Sequence, residues 1–506
     1  MSNKARRFDN WEGRQSSRQA QILDTVETID AIVTIDTTDT MGTIDIIHKI
    51  NMGELSSMGK LFGTDGVRGV ANTELSAELA FRLGQASAVV LAAETKHKPI
   101  ILLGKDTRVS CDMLEGALAA GICSAGASVM SLGVIPTPAV AYLTKKYNAD
   151  AGAVISASHN SFEFNGIKLF GSGGYKLADE VENKIEEFLE CGLDKLEMPV
   201  GDGVGRYYLC DSAKRDYMEY LKTLCRVDLS GLTIALDCAN GASFKIAPTI
   251  FQELGAKVHV VGDMPDGINI NRDCGSTHME GLLKLTAASG ADIGFAFDGD
   301  ADRALAADEK GRLVDGDSLL ALIGMDLKEK GLLSDDTVVA TVMSNMGLEI
   351  AFKEAGITLK RTAVGDRYVL EEMLKHSHKL GGEQSGHIIC TDFNTTGDGI
   401  ATAIMTINAL VASKRKFSDI TNAVKVLPQV LRNARVQNEN KERCFDDCVI
   451  KNMCDNLEEE FEGCGRVLIR PSGTEPLVRV MIEAMDIDII TRKAEELVKV
   501  IEEKLG

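Results

Sequence analysis

The chain has 506 residues, 44% of them apolar and 26% charged, and carries a formal net charge of -20 at pH 7. That length exceeds what one hydrophobic core sustains and predicts about three or four domains. No apolar run approaches the roughly 20 residues that span a bilayer, and the acidic balance excludes general nucleic-acid binding, which needs clustered Lys and Arg. A phosphorylated ligand would be repelled by the overall field, so a site for one must concentrate arginines, lysines, a metal or helix N-termini locally. The 12 cysteines, irregularly spaced and with no secretory leader before them, read as reduced thiols of a cytoplasmic protein.

Residues 1–57 differ from the rest. Five basic residues fall in the first 20, and Thr-Ile-Asp then recurs at 28–30, 34–36 and 43–45. Asp24, Glu27, Asp30, Asp36, Asp39 and Asp45 interrupt the segment, which excludes the apolar stretch of a signal peptide and the acid-poor composition of a transit peptide. The segment reads as a dispensable, disordered low-complexity extension, with the functional chain beginning near Met58; a partner-binding arm is the alternative.

From there, one pattern occurs three times: an apolar strand, a polar turn, an amphipathic helix, a glycine and a second strand. It runs from Ile100–Gly104 through a helix around Met113–Ala125 to 126–133. It returns from Leu232–Asp237 through Phe244–Leu254 to 255–262, and from Thr337–Val342 through Leu348–Ala355 to 356–365. Strand, crossover helix and strand predict βαβ-like units with mixed or parallel sheets. The final stretch differs, with a strand pair at Arg466–Arg470 and Leu477–Ile482 and a closing amphipathic helix over about Thr491–Lys504. The expected fold is therefore α/β: three tandem similar domains and a smaller C-terminal α+β domain around a central cleft. The expected division is 58–213, 214–314, 315–428 and 429–506.

Ligands in such folds bind at loops beyond strand ends. After the apolar Ile293–Phe297 comes Asp298-Gly-Asp300-Ala-Asp302-Arg303. Three carboxylates at alternate positions of a tight turn can converge on a hard divalent cation, and oxygen-only ligation favours Mg2+. A solvated acidic turn is the plain alternative. An EF-hand is disfavoured: Glu309 falls at the twelfth loop position, but Arg303 occupies the sixth, where glycine is needed, and a strand precedes the loop. Arg303, beside such a metal, would contact phosphate.

Ala151–Ile155 leads into Ser156-Ala-Ser158-His159-Asn160-Ser161, with Lys168 shortly beyond. Serine and asparagine clusters also form turns and caps, and the Gly-x-Ser-x-Gly elbow of acyl-transfer hydrolases is absent from this segment. A serine beside a metal-binding carboxylate cluster suits phosphoryl transfer. Arg470-Pro-Ser472-Gly473-Thr474-Glu475-Pro476, with Arg479 following, is a compact phosphate nest. Gly381-Gly-Glu383-Gln-Ser385-Gly386-His387 offers groups that read sugar hydroxyls or an amine. Cys444, Cys448, Cys454 and Cys464 contain no Cys-x-x-Cys pair and read as isolated buried thiols rather than a zinc site.

Together with the opening Gly59-Lys-Leu-Phe-Gly-Thr64-Asp-Gly-Val-Arg68-Gly, these loops resemble, in the same order, those of the α-D-phosphohexomutase superfamily. The resemblance covers Met58 to the C-terminus. It implies a phosphoserine at Ser158, a first domain carrying it, and Mg2+ held by its phosphate with Asp298, Asp300 and Asp302 of the second. It implies sugar recognition in the third domain by Glu383, Ser385, His387 and the loop Gly365-Asp366-Arg367. The fourth would bind phosphate through Arg470, Ser472, Gly473, Thr474 and Arg479. Lys168 and His159 are the implied proton-transfer or charge-stabilising groups, and Arg68 an additional active-site cation.

The opening motif and Gly-Glu-Gln-Ser-Gly-His resemble the branch interconverting glucosamine 6-phosphate and glucosamine 1-phosphate. That reaction proceeds through glucosamine 1,6-bisphosphate on the route to UDP-N-acetylglucosamine. The implied partner is a small phosphosugar, without nucleic acid or membrane, and a homodimer is the assembly considered. A mannose- or glucose-phosphate mutase of the same superfamily and a non-catalytic sugar-phosphate-binding regulator are the alternatives. Ser161 stands where the superfamily usually has proline, which would fix φ.

Overall fold

The computed structural model describes residues 61–506 except 64, 94, 194, 195, 422, 423, 473 and 474. The extension, residues 1–57, lies outside the described residues, as do Gly473 and Thr474.

Each of the three repeated units folds around a parallel strand pair. In the first domain the strands are β1 (Val67–Val70), β2 (Ile100–Lys105), β3 (Ser128–Val134), β4 (Ala151–Ile155), β5 (Phe164–Gly171) and β6 (Tyr207–Leu209), in the order β1-β5-β4-β2-β3-β6. β2 is parallel to both β3 and β4, while β5 runs antiparallel to β4 and β1. β4 is buried at every position, as an all-apolar central strand covered on both faces requires. The second domain has β7 (Thr233–Asp237), β8 (Lys257–Val261), β9 (Ile293–Phe297), β10 (Ala304–Asp308) and β11 (Leu313–Val314), ordered β11-β10-β9-β7-β8. The third has β12 (Thr337–Thr341), β13 (Thr358–Thr362), β14 (Leu380–Gly382) and β15 (Ile388–Cys390), ordered β13-β12-β14-β15.

The crossover helices Ser110–Ser124, Ile246–Glu253 and Met346–Glu354 are each followed by a glycine with positive φ, Gly126, Gly255 and Gly356, at 98°, 97° and 69°. Only glycine adopts this left-handed conformation without strain, and it turns the chain back to the next strand. Boundaries shift by a few residues from those expected, because helix ends fray into turns that hydrophobic periodicity does not resolve.

The fourth domain is a three-stranded antiparallel sheet, β16 (Gln429–Arg435), β17 (Gly465–Pro471) and β18 (Leu477–Ala484), in the order β16-β18-β17. Helix Ile487–Leu505 covers it, capped by the Asp486 carboxylate, which accepts from the N–H groups of Asp488 (2.9 Å) and Ile489 (3.1 Å). Ile490, Ala494, Leu497, Ile501 and Leu505 form its buried stripe, the 3.6-residue periodicity of an amphipathic helix. Among the described residues no helix is long and apolar enough to cross a membrane. Of the four C-terminal cysteines only Cys444 is buried; Cys454 is half-buried and Cys448 and Cys464 are exposed, so the reading of four buried thiols holds for one.

One apolar core runs from Leu102 and Phe170 through Phe251 and Phe297 to Ile404 and Phe417, joining the first three domains. The fourth has its own core around Val480, Ile482, Leu497 and Ile501. Its junction with the third domain includes a polar hub. Glu483, fully buried, accepts from Arg466 Nε (2.6 Å), Gln429 Nε2 (2.9 Å) and the Met346 N–H (3.1 Å). Arg466 also donates to the carbonyls of Val342 (2.8 Å) and Ser344 (2.7 Å). Asn345 exchanges two hydrogen bonds with the Leu427 backbone, and its own N–H donates to Asp317 Oδ2 at 2.7 Å.

Burial, reinforced by Asp315, pushes the Asp317 carboxyl up from 3.8 to about 7, against the Asn345 N–H, Ser344 and Arg361. A folded-state pKa above the unfolded one means stability that is complete below about pH 4 and lost as pH rises through about 7. Over that window the wild type should lose about 1.4 kcal/mol per pH unit relative to Asp317→Asn. Chemical denaturation midpoints at pH 4, 5.5 and 7 check this; parallel pH curves for the two proteins would contradict it.

Candidate active site

Ser158 lies in the turn that follows β4, 1% exposed, with a left-handed φ of 53°. Its Oγ donates to Asp298 Oδ2 of the second domain at 2.5 Å and lies 3.4 Å from His159 Nδ1. Asp298, Asp300 and Asp302 follow β9, and one carboxylate oxygen from each lies within 4.8 Å of the other two. Asp300 Oδ2 accepts from Thr137 Oγ1 (2.6 Å) and Lys168 Nζ (2.8 Å). Asp300 Oδ1 and Asp302 Oδ1 are buried without a hydrogen-bond partner among the described residues. Three buried carboxylates with oxygens close together, two of the residues keeping an oxygen without a hydrogen bond, fit a hard divalent cation. Burial, then Asp302 and Asp300, raise the Asp298 pKa well above the usual carboxylate range.

Lys168, on β5, is fully buried and also pairs with Asp65 at 3.0 Å and Asp302 at 3.6 Å. Burial alone would lower its pKa, but Asp300, Asp65 and Asp302 outweigh it and raise it. The ammonium is thus fixed as a cationic donor. Asp302 shows the converse: burial is outweighed by Lys168, His387 and Arg303, and its pKa falls well below normal. His159 is pushed down by burial and then by Arg303 and Arg68, so its imidazole is neutral at pH 7 and able to accept a proton. Arg68, on β1, pairs with Asp65. Arg303 donates its backbone N–H to Asp298 Oδ1 at 3.1 Å, and its guanidinium lies 3.9 Å from Asp302.

Glu383 and Ser385 follow β14. The Glu383 carboxylate accepts from the Gly365 N–H (3.2 Å) and Ser385 Oγ (3.3 Å), which fixes its orientation. Gly365, at φ 131°, holds a conformation that side-chain-bearing residues avoid. His387 is buried behind this loop. Its Nδ1 faces Asp302 at 3.6 Å and its Nε2 faces Asp366 at 3.4 Å; burial alone would lower its pKa, but these two carboxylates outweigh it and raise it. Asp366 begins helix Asp366–His376 and pairs with Lys176 at 2.6 Å. The guanidinium of Arg367 is occupied by carboxylates: Asp179 at 2.5 Å, Glu371 at 3.0 Å and Glu182 at 3.8 Å.

Arg470 and Arg479 sit directly opposite each other on β17 and β18. Facing cross-strand pairs share one side of the sheet, and like charges there repel, an arrangement an anion relieves. Arg479 is partly neutralised by Glu475 at 3.2 Å. Ser472, between them in sequence, is buried, and its Oγ accepts from the Glu475 N–H at 3.2 Å.

Four residues that the loop-by-loop reading passed over complete the site. Arg108 and Asn271 bind the Ser158 carbonyl, and Asp65 and Lys176 pair with its charged groups. Asp106-Thr-Arg108 directly follows an apolar strand, the same signal that singled out the serine loop. Lys176 follows the Gly-rich turn after β5. Nothing local marks Asn271.

The four domains match in order the phosphoglucomutase/phosphomannomutase family: α/β/α domain I at residues 59–193, domain II at 215–311, domain III at 315–426 and the C-terminal domain at 407–500. The phosphoglucomutase/phosphomannomutase family protein of Burkholderia thailandensis has the same fold, with a TM-score of 0.71 at 23% identity over 87% of this chain and 98% of that one. Aspergillus fumigatus N-acetylphosphoglucosamine mutase, solved with GlcNAc-6P and magnesium, gives 0.63 at 16% identity over 90% and 99%. Fold and site thus define a phosphohexomutase.

Within that class, the phosphoglucosamine mutase of Acetivibrio thermocellus is 60% identical over 449 residues, 89% of this chain and 100% of that protein. The chain belongs to the phosphoglucosamine mutase family.

The opposed arginines give a direct expectation. Inorganic phosphate should raise the thermal stability of the wild type, by about 1.4 kcal/mol at ten times its Kd, and most of that gain should disappear in Arg479→Met. Equal stabilisation of both proteins in a melting titration would remove the anion site from this sheet.

Proposed function

We propose that the protein interconverts glucosamine 6-phosphate and glucosamine 1-phosphate, with Ser158 carrying the phosphoryl group. The observation that carries this reading is the Ser158 hydroxyl, held 2.5 Å from Asp298 in a turn that the first and second domains build together. In this reading phosphoserine 158 gives its phosphoryl group to O1 of the 6-phosphosugar. The 1,6-bisphosphate then turns over in the cleft, and Ser158 recovers a phosphoryl group from O6. Each transfer balances in protons: in the first the sugar O1 hydroxyl loses the proton that the serine oxygen gains, and in the second the serine hydroxyl loses the proton that O6 gains. His159, neutral and 3.4 Å from Oγ, accepts and returns the proton. Lys168, held protonated among three carboxylates, stabilises charge on the transferring group rather than acting as a base.

Asp298, Asp300, Asp302 and the Ser158 phosphate would hold Mg2+, which when bound neutralises charge on the phosphoryl oxygens. The two open carboxylate oxygens support this assignment. Arg303 and Arg68 add positive charge beside the same turn. Glu383 and Ser385, pre-oriented by Gly365, grip the sugar, and the Gly365-Asp366-Arg367 loop backs them, with His387 supporting Asp302 from behind. Arg470, Ser472, Gly473, Thr474 and Arg479 take the phosphate that is not reacting. The functional division is 58–213 for the serine, 214–314 for the metal, 315–428 for the sugar and 429–506 for the distal phosphate. Ser161, in place of the usual proline, removes no reacting group.

Two measurements test this. Ser158→Ala should abolish phosphoenzyme labelling and lower kcat by at least about 10^4-fold, the scale on which enzymes lose activity with their nucleophile; full activity without a labelled protein would end the serine assignment. In a kinetic panel of glucosamine, glucose and mannose 6-phosphates with Mg2+, kcat/KM should be highest for glucosamine 6-phosphate. Preference for another sugar would transfer the chain's activity to that substrate, and inactivity toward all three would favour a binding role.

A further inference from the structure

Every hydrogen-bonding group of the Ser158 backbone is tied to one buried network that touches no reacting atom. Its N–H donates to Ser156 Oγ at 2.9 Å, and that hydroxyl donates to Asp106 Oδ2 at 2.6 Å. The Arg108 guanidinium, with no exposed surface, donates through Nη1 to the same Asp106 oxygen at 2.7 Å. Arg108 Nη2 reaches the carbonyls of Ser158 at 3.1 Å and Asn160 at 2.6 Å, and its Nε donates to the Phe164 carbonyl at 2.8 Å. From the second domain, Asn271 Nδ2 donates to the same two carbonyls, Ser158 at 2.8 Å and Asn160 at 2.9 Å.

These bonds fix both φ and ψ of a non-glycine residue in the left-handed region, which an unconstrained chain avoids. The remaining freedom is χ1, which places Oγ. The second domain abuts the same carbonyl: a Cβ at Gly299, between two of the metal-loop aspartates, would come within 2.5 Å of the Ser158 oxygen and 3.0 Å of Asn271 Nδ2. Serine turn, clamp and carboxylate loop therefore close on one another with no room for a side chain.

We propose that Arg108 and Asn271 are positioning residues of the reaction, a two-domain clamp on the Ser158 and Asn160 carbonyls that holds the serine in its left-handed turn and aims Oγ at the carboxylate loop. The inference rests on Ser158 as the phosphoryl carrier. Because Asn271 comes from the second domain, the serine keeps its aim only while the two domains stay in register.

The test uses the full chain with Asn271→Asp, which keeps shape but replaces the donor by an acceptor, and Asn271→Gly, which keeps the left-handed backbone of Asn271 (φ 57°) without the amide. Arg108→Lys serves as a third variant, retaining charge without the forked donors. Single-turnover transfer from labelled phosphoenzyme to glucosamine 6-phosphate should slow by about 10- to 100-fold, the scale of a 1 Å misplacement. The steady-state kcat should fall by the same factor, with KM within about twofold and the melting temperature of Asn271→Gly near that of the wild type. Transfer at the wild-type rate in folded Asn271→Asp and Asn271→Gly, or an effect on KM alone, overturns the clamp. Ser158→Ala run in parallel separates the two failures. If that variant remains active the carrier assignment falls, and if it is dead while the Asn271 variants are unimpaired only the clamp does.

Discussion

Lys168 is buried among carboxylates from two domains, and the rest of the site is arranged around that pairing. An unpaired ammonium in the interior would be neutralised or expelled. Here Asp65 of the first domain and Asp300 and Asp302 of the second surround it at 2.8 to 3.6 Å. Asp65 also pairs with Lys176, Lys176 with Asp366 of the third domain, and Asp366 approaches His387, which faces Asp302 again. Charges alternate around a closed circuit, so each desolvated group has an opposite neighbour. Removing one member strands another, which makes the circuit a constraint on the relative placement of three domains as much as a set of contacts.

That constraint explains the division of labour. The first three domains share one apolar core and the charge circuit, so serine, carboxylate loop and sugar loop are held in a fixed relation. The fourth has a separate core, and its hub with the third domain is the Glu483–Arg466–Asn345 network. The residues proposed to hold the distal phosphate are therefore carried on the element least tied to the reacting centre. A substrate that must present either end to one serine suits such a division.

The sequence exposed what local chemistry encodes. The repeated strand–helix–strand pattern, β9 at Ile293–Phe297, and the Asp298-to-Arg303 turn could be read from periodicity and spacing, and each lies where expected. Loop order carried the family. The groups that were not legible act across domains. Asn271 is one polar residue in a long loop until folding brings it to the Ser158 carbonyl, 113 positions away in sequence. Asp317 and Glu483 look like ordinary helix and strand carboxylates, and only burial makes them consequential. Arg367, in the Gly365-Asp366-Arg367 loop, pairs with carboxylates on the first and third domains, a partnership that no spacing rule foretells. The overall charge of -20 likewise says little about the serine turn, beside which Lys168 and Arg303 lie against Asp300 and Asp302 of the carboxylate loop.

The claim on which this account depends is that the group passed to the sugar comes from Ser158. Protein labelled with 32P on that serine, freed of excess label and mixed with unlabelled glucosamine 6-phosphate and Mg2+, tests it in one turnover. The account predicts that radioactivity leaves the protein at the rate of catalysis and appears in the sugar bisphosphate and monophosphate. Label that stays on the protein while product accumulates would contradict it.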